Sequence, residues 1–193
     1  MNDTVNSLVK KAQKGDQLAF SELIDFYQHR VYRICFRLIG NHHDAEDLAQ
    51  TAFLRAYQNI NSHDNNKKFS SWLFRIATNL TLDRLKMKKP DYYLDAEVFN
   101  ADGMTMYNRI PANNQLPEDQ VIGREMLDII QKAMFGLSPE YRLAIIFKYL
   151  EELSLKEISD IMQIPIGTVK TRIHRGREIL RKQLEPVLSF RGS

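Results

Sequence analysis

The chain of 193 residues holds a single cysteine, Cys35, which excludes an internal disulfide and argues against a cysteine-based zinc site. It contains no apolar run near the ~20 residues that a membrane-spanning helix requires. Its opening, MNDTVNSLVKK, lacks the architecture of a secretory signal. These absences predict a protein of the reducing cytoplasm. A catalytic constellation is also missing: no carboxylates or histidines converge as a metal-dependent nuclease would need, so neither an enzyme nor a cofactor is expected. His42, His43, Asp44, Glu46 and Asp47 stand close together, yet acids at a helix start usually cap and solvate it, and no spaced ligand pair completes a metal set.

At 44% hydrophobic and 26% charged, the composition is that of an ordinary globular protein with real cores. The net charge of +3 points only weakly to nucleic acid; its distribution says more. Residues 67–89 hold seven Lys or Arg against one Asp, whereas residues 91–122 hold six acids against one Arg. Two basic modules flanking an acidic connector suggest two DNA-facing surfaces.

One of those surfaces is legible in LSLKEISDIMQIPIGTVKTRIHRGREILRK, residues 153–182. Ser154-Leu155-Lys156-Glu157 is a capping box, in which hydroxyl and carboxylate each satisfy an orphan backbone N–H. Leu155, Ile158, Ile161 and Met162 follow at helical spacing. Pro165 then forbids continuation, and a second helix is predicted from Gly167 or Thr168. Two short helices across a tight turn read as a helix-turn-helix. On the second helix Val169, Ile173, Gly176 and Leu180 share a face expected to pack on the first. Lys170, Thr171, Arg172, His174, Arg175 and Glu178 occupy the remainder, and residues 167–182 carry six Lys or Arg against one Glu. Long cations reach phosphates, while Arg, His and Thr can read base edges in a major groove. A merely solvated basic surface would account for the charge but not for the capping box, turn and wheel together.

The second surface lies earlier. Asp16 is a candidate cap for a core helix carrying Phe20, Leu23, Ile24, Tyr27, Val31, Ile34, Cys35 and Leu38, stopped by Gly40. A turn at 41–43 precedes a helix opened by Asp44, with Leu48, Ala49, Ala52, Phe53 and Ala56 as its apolar face. The acidic end, with Gln50 and Leu54, is a candidate protein-binding surface. After a polar loop at 59–66, a helix is predicted from about Ser70 to Lys88, ending before Pro90. Around its start Phe69, Trp72 and Phe74 alternate with Lys67, Lys68 and Arg75, with Ser71, Thr78 and Asn79 among them. Aromatic faces beside cations suit an unstacked strand, although Phe74 by itself reads as core. Residues 91–117 read as an irregular acidic linker. Helices are expected to resume near Pro117-Glu118. Ser138-Pro139 opens a helix bearing Leu143, Ile146, Phe147 and Leu150, and Pro186 is expected to close the last helix. The fold class is therefore all-α: two small helical domains, 1–90 and 118–193, joined by the linker.

Three motifs, DAEDLAQTAFLRAY at 44–57, FSSWLFRIATNLTLDRLKMKKPDYYLDAEV at 69–98 and LSLKEISDIMQIPIGTVKTRIHRGRE at 153–178, resemble those of the extracytoplasmic-function sigma factors of bacterial RNA polymerase. Order and spacing agree over nearly the whole chain. The one departure is Thr51, where the family usually has Glu. The resemblance implies that Asp47, Gln50, Phe53 and Leu54 bind the β′ clamp of core polymerase, with further contacts to the β subunit. It implies that residues 59–80, with Lys67, Lys68, Phe69, Ser71, Trp72, Arg75 and Asn79, recognise and melt the −10 promoter element and hold a flipped base. The helix at 167–178 would read the −35 element, and a membrane-anchored anti-sigma factor would hold the protein in check. A stand-alone helix-turn-helix regulator would explain 153–182 alone and leave the aromatic–basic block without a task.

Overall fold

The computed structural model describes residues 2–88 and 124–190, and all regular structure among them is helical. The expected acidic linker at 91–117 and the helix restart at Pro117-Glu118 lie outside the described residues. The chain divides into two compact units.

In the first unit, α1 (Asn2–Gln13), α2 (Gln17–Ile39), α3 (His42–Gln58) and α4 (Phe69–Lys88) surround one core, with α2 packed on the other three. Asp16 caps α2 by accepting from the Ala19 N–H at 3.1 Å. Gly40 ends it in the left-handed conformation, φ 72°, its N–H donating to the Phe36 carbonyl. The expected stripe is buried at Phe20, Leu23, Tyr27, Val31, Ile34, Cys35 and Leu38. Helix α3 begins at His42, two residues ahead of the predicted Asp44, because the Asn41 side chain accepts from the Asp44 N–H at 3.0 Å and supplies the cap. On α4, Thr78 and Thr81 are buried yet satisfied, their hydroxyls donating to the Phe74 and Ala77 carbonyls, each at 2.8 Å. The Thr81 oxygen also lies 3.4 Å from Cys35 Sγ. Burial pushes the Cys35 thiol up to about 11, so it stays neutral and behaves as a small apolar residue.

The second unit contains α5 (Arg124–Phe135), α6 (Pro139–Ile145) and α8 (Ile166–Phe190); α8 packs on both of the others. Ser138 caps α6, with Pro139 in its first turn. Beyond Ile145 the chain widens into a π turn, Ile146–Leu150, closed by the Glu151 N–H donating to the Ile146 carbonyl at 3.0 Å. The added residue rotates Leu150 out of the stripe predicted for it: Leu143, Ile146 and Phe147 are buried and Leu150 is exposed. The last helix also departs from expectation by running through Pro186 to Phe190. Proline there forfeits the bond to the carbonyl one turn back, that of Lys182, whose exposed position leaves the oxygen open to water.

Arg142 anchors this unit. Its side chain is fully buried in an apolar run, and Nε donates to the Met134 carbonyl at 2.9 Å. Nη2 donates to the Phe135 and Leu137 carbonyls, both at 3.0 Å. The guanidinium carbon sits 4.4 Å from the centre of the Phe135 ring. Carbonyls at a helix C-terminus have no partner within the helix, and here one side chain serves the last two of α5 and the Leu137 carbonyl just beyond it.

Candidate nucleic-acid interface

Helix α7 (Leu155–Met162) starts from the predicted capping box. The Ser154 N–H and hydroxyl donate to Glu157 Oε2 at 2.9 and 2.6 Å, and the Glu157 N–H returns to Ser154 Oγ at 3.2 Å. Gln163 takes a left-handed φ of 55° in the turn. The Pro165 carbonyl accepts from the Val169 N–H at 3.1 Å, so α8 begins at Ile166, one residue before the predicted start.

On α8, Val169 and Gly176 are buried, while Lys170, Thr171, His174 and Arg175 are exposed and Arg172 and Glu178 half-buried. Gly176 does not have the expected neighbour. A Cβ there would stand 3.0 Å from Ile145 Cγ1 and 3.5 Å from Tyr141 Cβ, so the close approach is to α6. Gly176→Ala is expected to lose ~1 kcal/mol in denaturant titration, because overpacking exceeds alanine's gain in helix propensity. Arg175 Nη1 donates to the Tyr141 hydroxyl at 3.5 Å. Glu178 pairs with Arg181 at 3.3 Å, which leaves the outer face dominated by cations.

In the first unit, a 3-10 turn at Ile60–Ser62 leads through a loop to α4. Lys67, Lys68, Arg75 and Asn79 are exposed; Ser71 and Trp72 are half-buried. Phe69 is only 2% exposed, which corrects its expected role as a stacking surface. Its ring packs on Tyr27, His63 and Trp72 at centroid distances of 5.7, 5.6 and 5.7 Å. Phe74 is core, as its spacing predicts, with the Arg30 guanidinium 4.9 Å over its ring. Of Phe69, Trp72 and Phe74, only Trp72 is thus partly exposed. Asp64 Oδ1 accepts from the Asn66 backbone and side-chain amides at 2.9 and 3.0 Å, fixing the loop tip as an Asx turn. A small recess of about 130 Å³ lies beneath it, lined by Val5, Asn6, Tyr27, Lys67, Lys68 and Phe69 among others.

His63 sits between Phe69 and Trp72, and burial holds its imidazole below the ordinary value. The unfolded chain therefore binds that proton more readily than the folded unit. The stabilising contribution is complete above the unfolded pKa of about 6.5 and is lost as pH falls below it. Urea midpoints are expected to drop between pH about 7.5 and about 5.5, and His63→Phe should remove part of that drop.

On α3, Asp47, Gln50 and Leu54 are exposed, but Phe53 is buried and forms the floor of a groove with Ile24, Tyr32, His42 and Ala49. Thr51 bonds back to the Asp47 carbonyl at 2.7 Å. The histidine–acid group is drawn apart: Asp44 pairs with Arg84 at 3.0 Å and His42 with Glu46 at 3.2 Å. No group of three or more possible ligands gathers among the described residues.

Residues 23–90 match Sigma-70 region 2, and residues 127–180 match Sigma-70 region 4. The ECF RNA polymerase sigma factor SigW of Bacillus subtilis is 55% identical over 95% of this chain and 98% of its own. The chain belongs to the extracytoplasmic-function sigma factors. The sigma-E factor of Escherichia coli K12, another member, is 32% identical over 94% of each chain. Among solved structures, CnrH in complex with the cytosolic domain of CnrY shares the fold, with a TM-score of 0.69 at 20% identity over 95% of this chain and 98% of that one.

Two residues of this sigma factor escape a reading by pattern. Arg142 stands just before the apolar run Leu143 to Phe147, as Lys148 stands just after it, and nothing in that position marks it as buried. Gln13 has no signal either, although its amide bonds three times to the loop before α4.

Proposed function

We propose that this sigma factor binds core RNA polymerase, locates promoters through their −35 and −10 elements and promotes opening of the DNA. The observation that carries this is the presence in one chain of two different nucleic-acid surfaces: a cationic helix-turn-helix face suited to duplex, and a loop with Trp72 and lysines suited to an unstacked strand. A factor that finds a duplex and then opens it needs both. A stand-alone regulator needs only the first, and the family membership speaks against it.

In this reading the domain at 1–90 serves core binding and the −10 element, the linker spans 91–117, and the domain at 118–193 serves the −35 element. Lys170, Thr171, Arg172, His174, Arg175 and Glu178 face the −35 duplex. Lys67, Lys68, Ser71, Trp72, Arg75 and Asn79 face the −10 strand, with Phe69 supporting Trp72 from below. Asp47, Gln50 and Leu54 meet the β′ clamp over the floor made by Phe53, and the β subunit adds contacts elsewhere. A membrane-anchored anti-sigma factor is the expected regulator. The protein acts in the cytoplasm without catalysis, metal or cofactor of its own; among the described residues no helix is long and apolar enough to cross a membrane.

Reconstitution with core polymerase tests the reading: promoter-specific transcripts are expected, and their absence despite stable assembly would overturn it. The two kinds of cation should also separate. Arg175→Ala is expected to cost about 1–3 kcal/mol at the preferred −35 sequence and to relax the preference there. Lys182→Ala should weaken binding evenly across sequences, with a shallower salt dependence. A promoter library read with each variant checks both.

A further inference from the structure

The loop that precedes α4 is held from a distance. Gln13, the last residue of α1, lies 47 to 52 residues away from its partners in sequence. Its Nε2 donates to the Ile60 carbonyl at 3.1 Å and to the His63 carbonyl at 3.0 Å. Its Oε1 accepts from Asn65 Nδ2 at 2.8 Å. Both amide hydrogens and the amide oxygen are thus committed to one short stretch of loop. The two carbonyls bracket the 3-10 turn, and the Ile60 oxygen accepts from the His63 N–H at 3.1 Å as well as from Gln13. Helix α1 also supplies Val5 and Asn6 to the recess under the loop tip. The Gln13 latch and the Asx turn at Asp64 together define the loop's path at both ends of residues 60–66.

We infer that Gln13 is a positioning residue for −10 recognition: it holds the loop in its strand-receiving form before DNA arrives, so that α1 is part of the reading device. The inference rests on the proposed role of the 59–80 stretch. A loop already ordered gives up little entropy on receiving its preferred strand. A released loop is competent for only a fraction of the time, which weakens the loop's sequence-reading contacts but not the sequence-independent phosphate contacts of the surrounding lysines, so preference falls. Gln13 touches no base in this account and acts through the backbone of Ile60 and His63.

The test uses the full chain with core polymerase on a promoter library randomised at both elements, together with hydrogen exchange of the free protein. Gln13→Met keeps length and apolar stem but removes the amide. It is expected to speed exchange across 60–66 and to lower discrimination among −10 sequences by ~10-fold, with −35 preference unchanged. Val9→Ala, which removes buried bulk from α1 without touching the latch, controls for loss of stability and should leave −10 preference intact. Unchanged exchange in Gln13→Met overturns the inference, as does faster exchange with unchanged −10 preference, or an equal loss of preference in Val9→Ala. Lys68→Ala reports on the underlying reading separately. If it too leaves −10 preference and melting untouched, the role of the 59–80 stretch fails along with the inference; if it impairs them while Gln13→Met does not, only the latch fails.

Discussion

Replacing Arg142 with methionine is expected to lower the stability of the helix-turn-helix unit by ~3 kcal/mol and to abolish −35 binding near physiological temperature. Methionine approximates the volume of the arginine stem but donates no hydrogen bond. The carbonyls of Met134, Phe135 and Leu137 would lose their shared partner where the protein leaves little room for water, although that of Met134 keeps a second donor, the Leu137 N–H at 3.1 Å. A buried acceptor left without a donor costs about 1–3 kcal/mol, and relaxation of the turn would recover part of the sum. The stack on the Phe135 ring is lost as well. Lysine should rescue poorly, since a point cation cannot reach carbonyls spread over four residues as a planar fork does. Hydrogen exchange resolved by segment checks this. Protection should fall across 129–185 and persist in α2 and α4; a uniform loss in both units would contradict it.

The other large effect is expected at Trp72. Trp72→Ala should reduce promoter opening by about 1–3 kcal/mol, roughly tenfold to a hundredfold, with duplex −35 binding preserved. Its ring lies against His63 and Phe69, at 5.2 and 5.7 Å, and is only half-buried, so part of it remains within reach of an unstacked base. Phe69→Ala would instead excavate the core and destabilise the unit, which distinguishes support from contact. Permanganate footprinting on closed and pre-melted templates is the measurement. Rescue of Trp72→Ala by a pre-melted bubble is expected, while an equal defect on both templates would make Trp72 a packing residue.

Features encoded by near neighbours were legible in the sequence. The Ser154–Glu157 box, the Asp16 cap and the Gly40 stop depend on residues a turn apart, and each forms as read. The buried face of α2 followed from its 3.6-residue period for the same reason. What periodicity could not do was rank the aromatics. Phe53 fell on the apolar face of its helix as well as among the expected contact residues, and Phe69 among the stacking rings; the packing of neighbouring helices puts both inside. The π turn after Ile145 defeated the wheel because one added residue changes the phase of all that follows. Gln13 and Arg142 were illegible for a different reason. Apart from the Asn65 side chain, their hydrogen-bond partners named above are main-chain carbonyls, and a carbonyl oxygen leaves no trace in the identity of the residue that bears it.

The missing side chain at Gly176 sets how far the proposed reading face projects. Thr171, His174 and Arg175 ride on α8 within two turns of the point where that helix rests on Ile145. A helix is stiff over so short a span, so lifting it at the rest lifts the reading residues by a comparable amount. Hydrogen bonds to base edges tolerate only a few tenths of an ångström. Substitutions on the hidden side of α8 would therefore act as a depth adjustment, altering promoter choice in a protein whose every DNA-facing residue is unchanged.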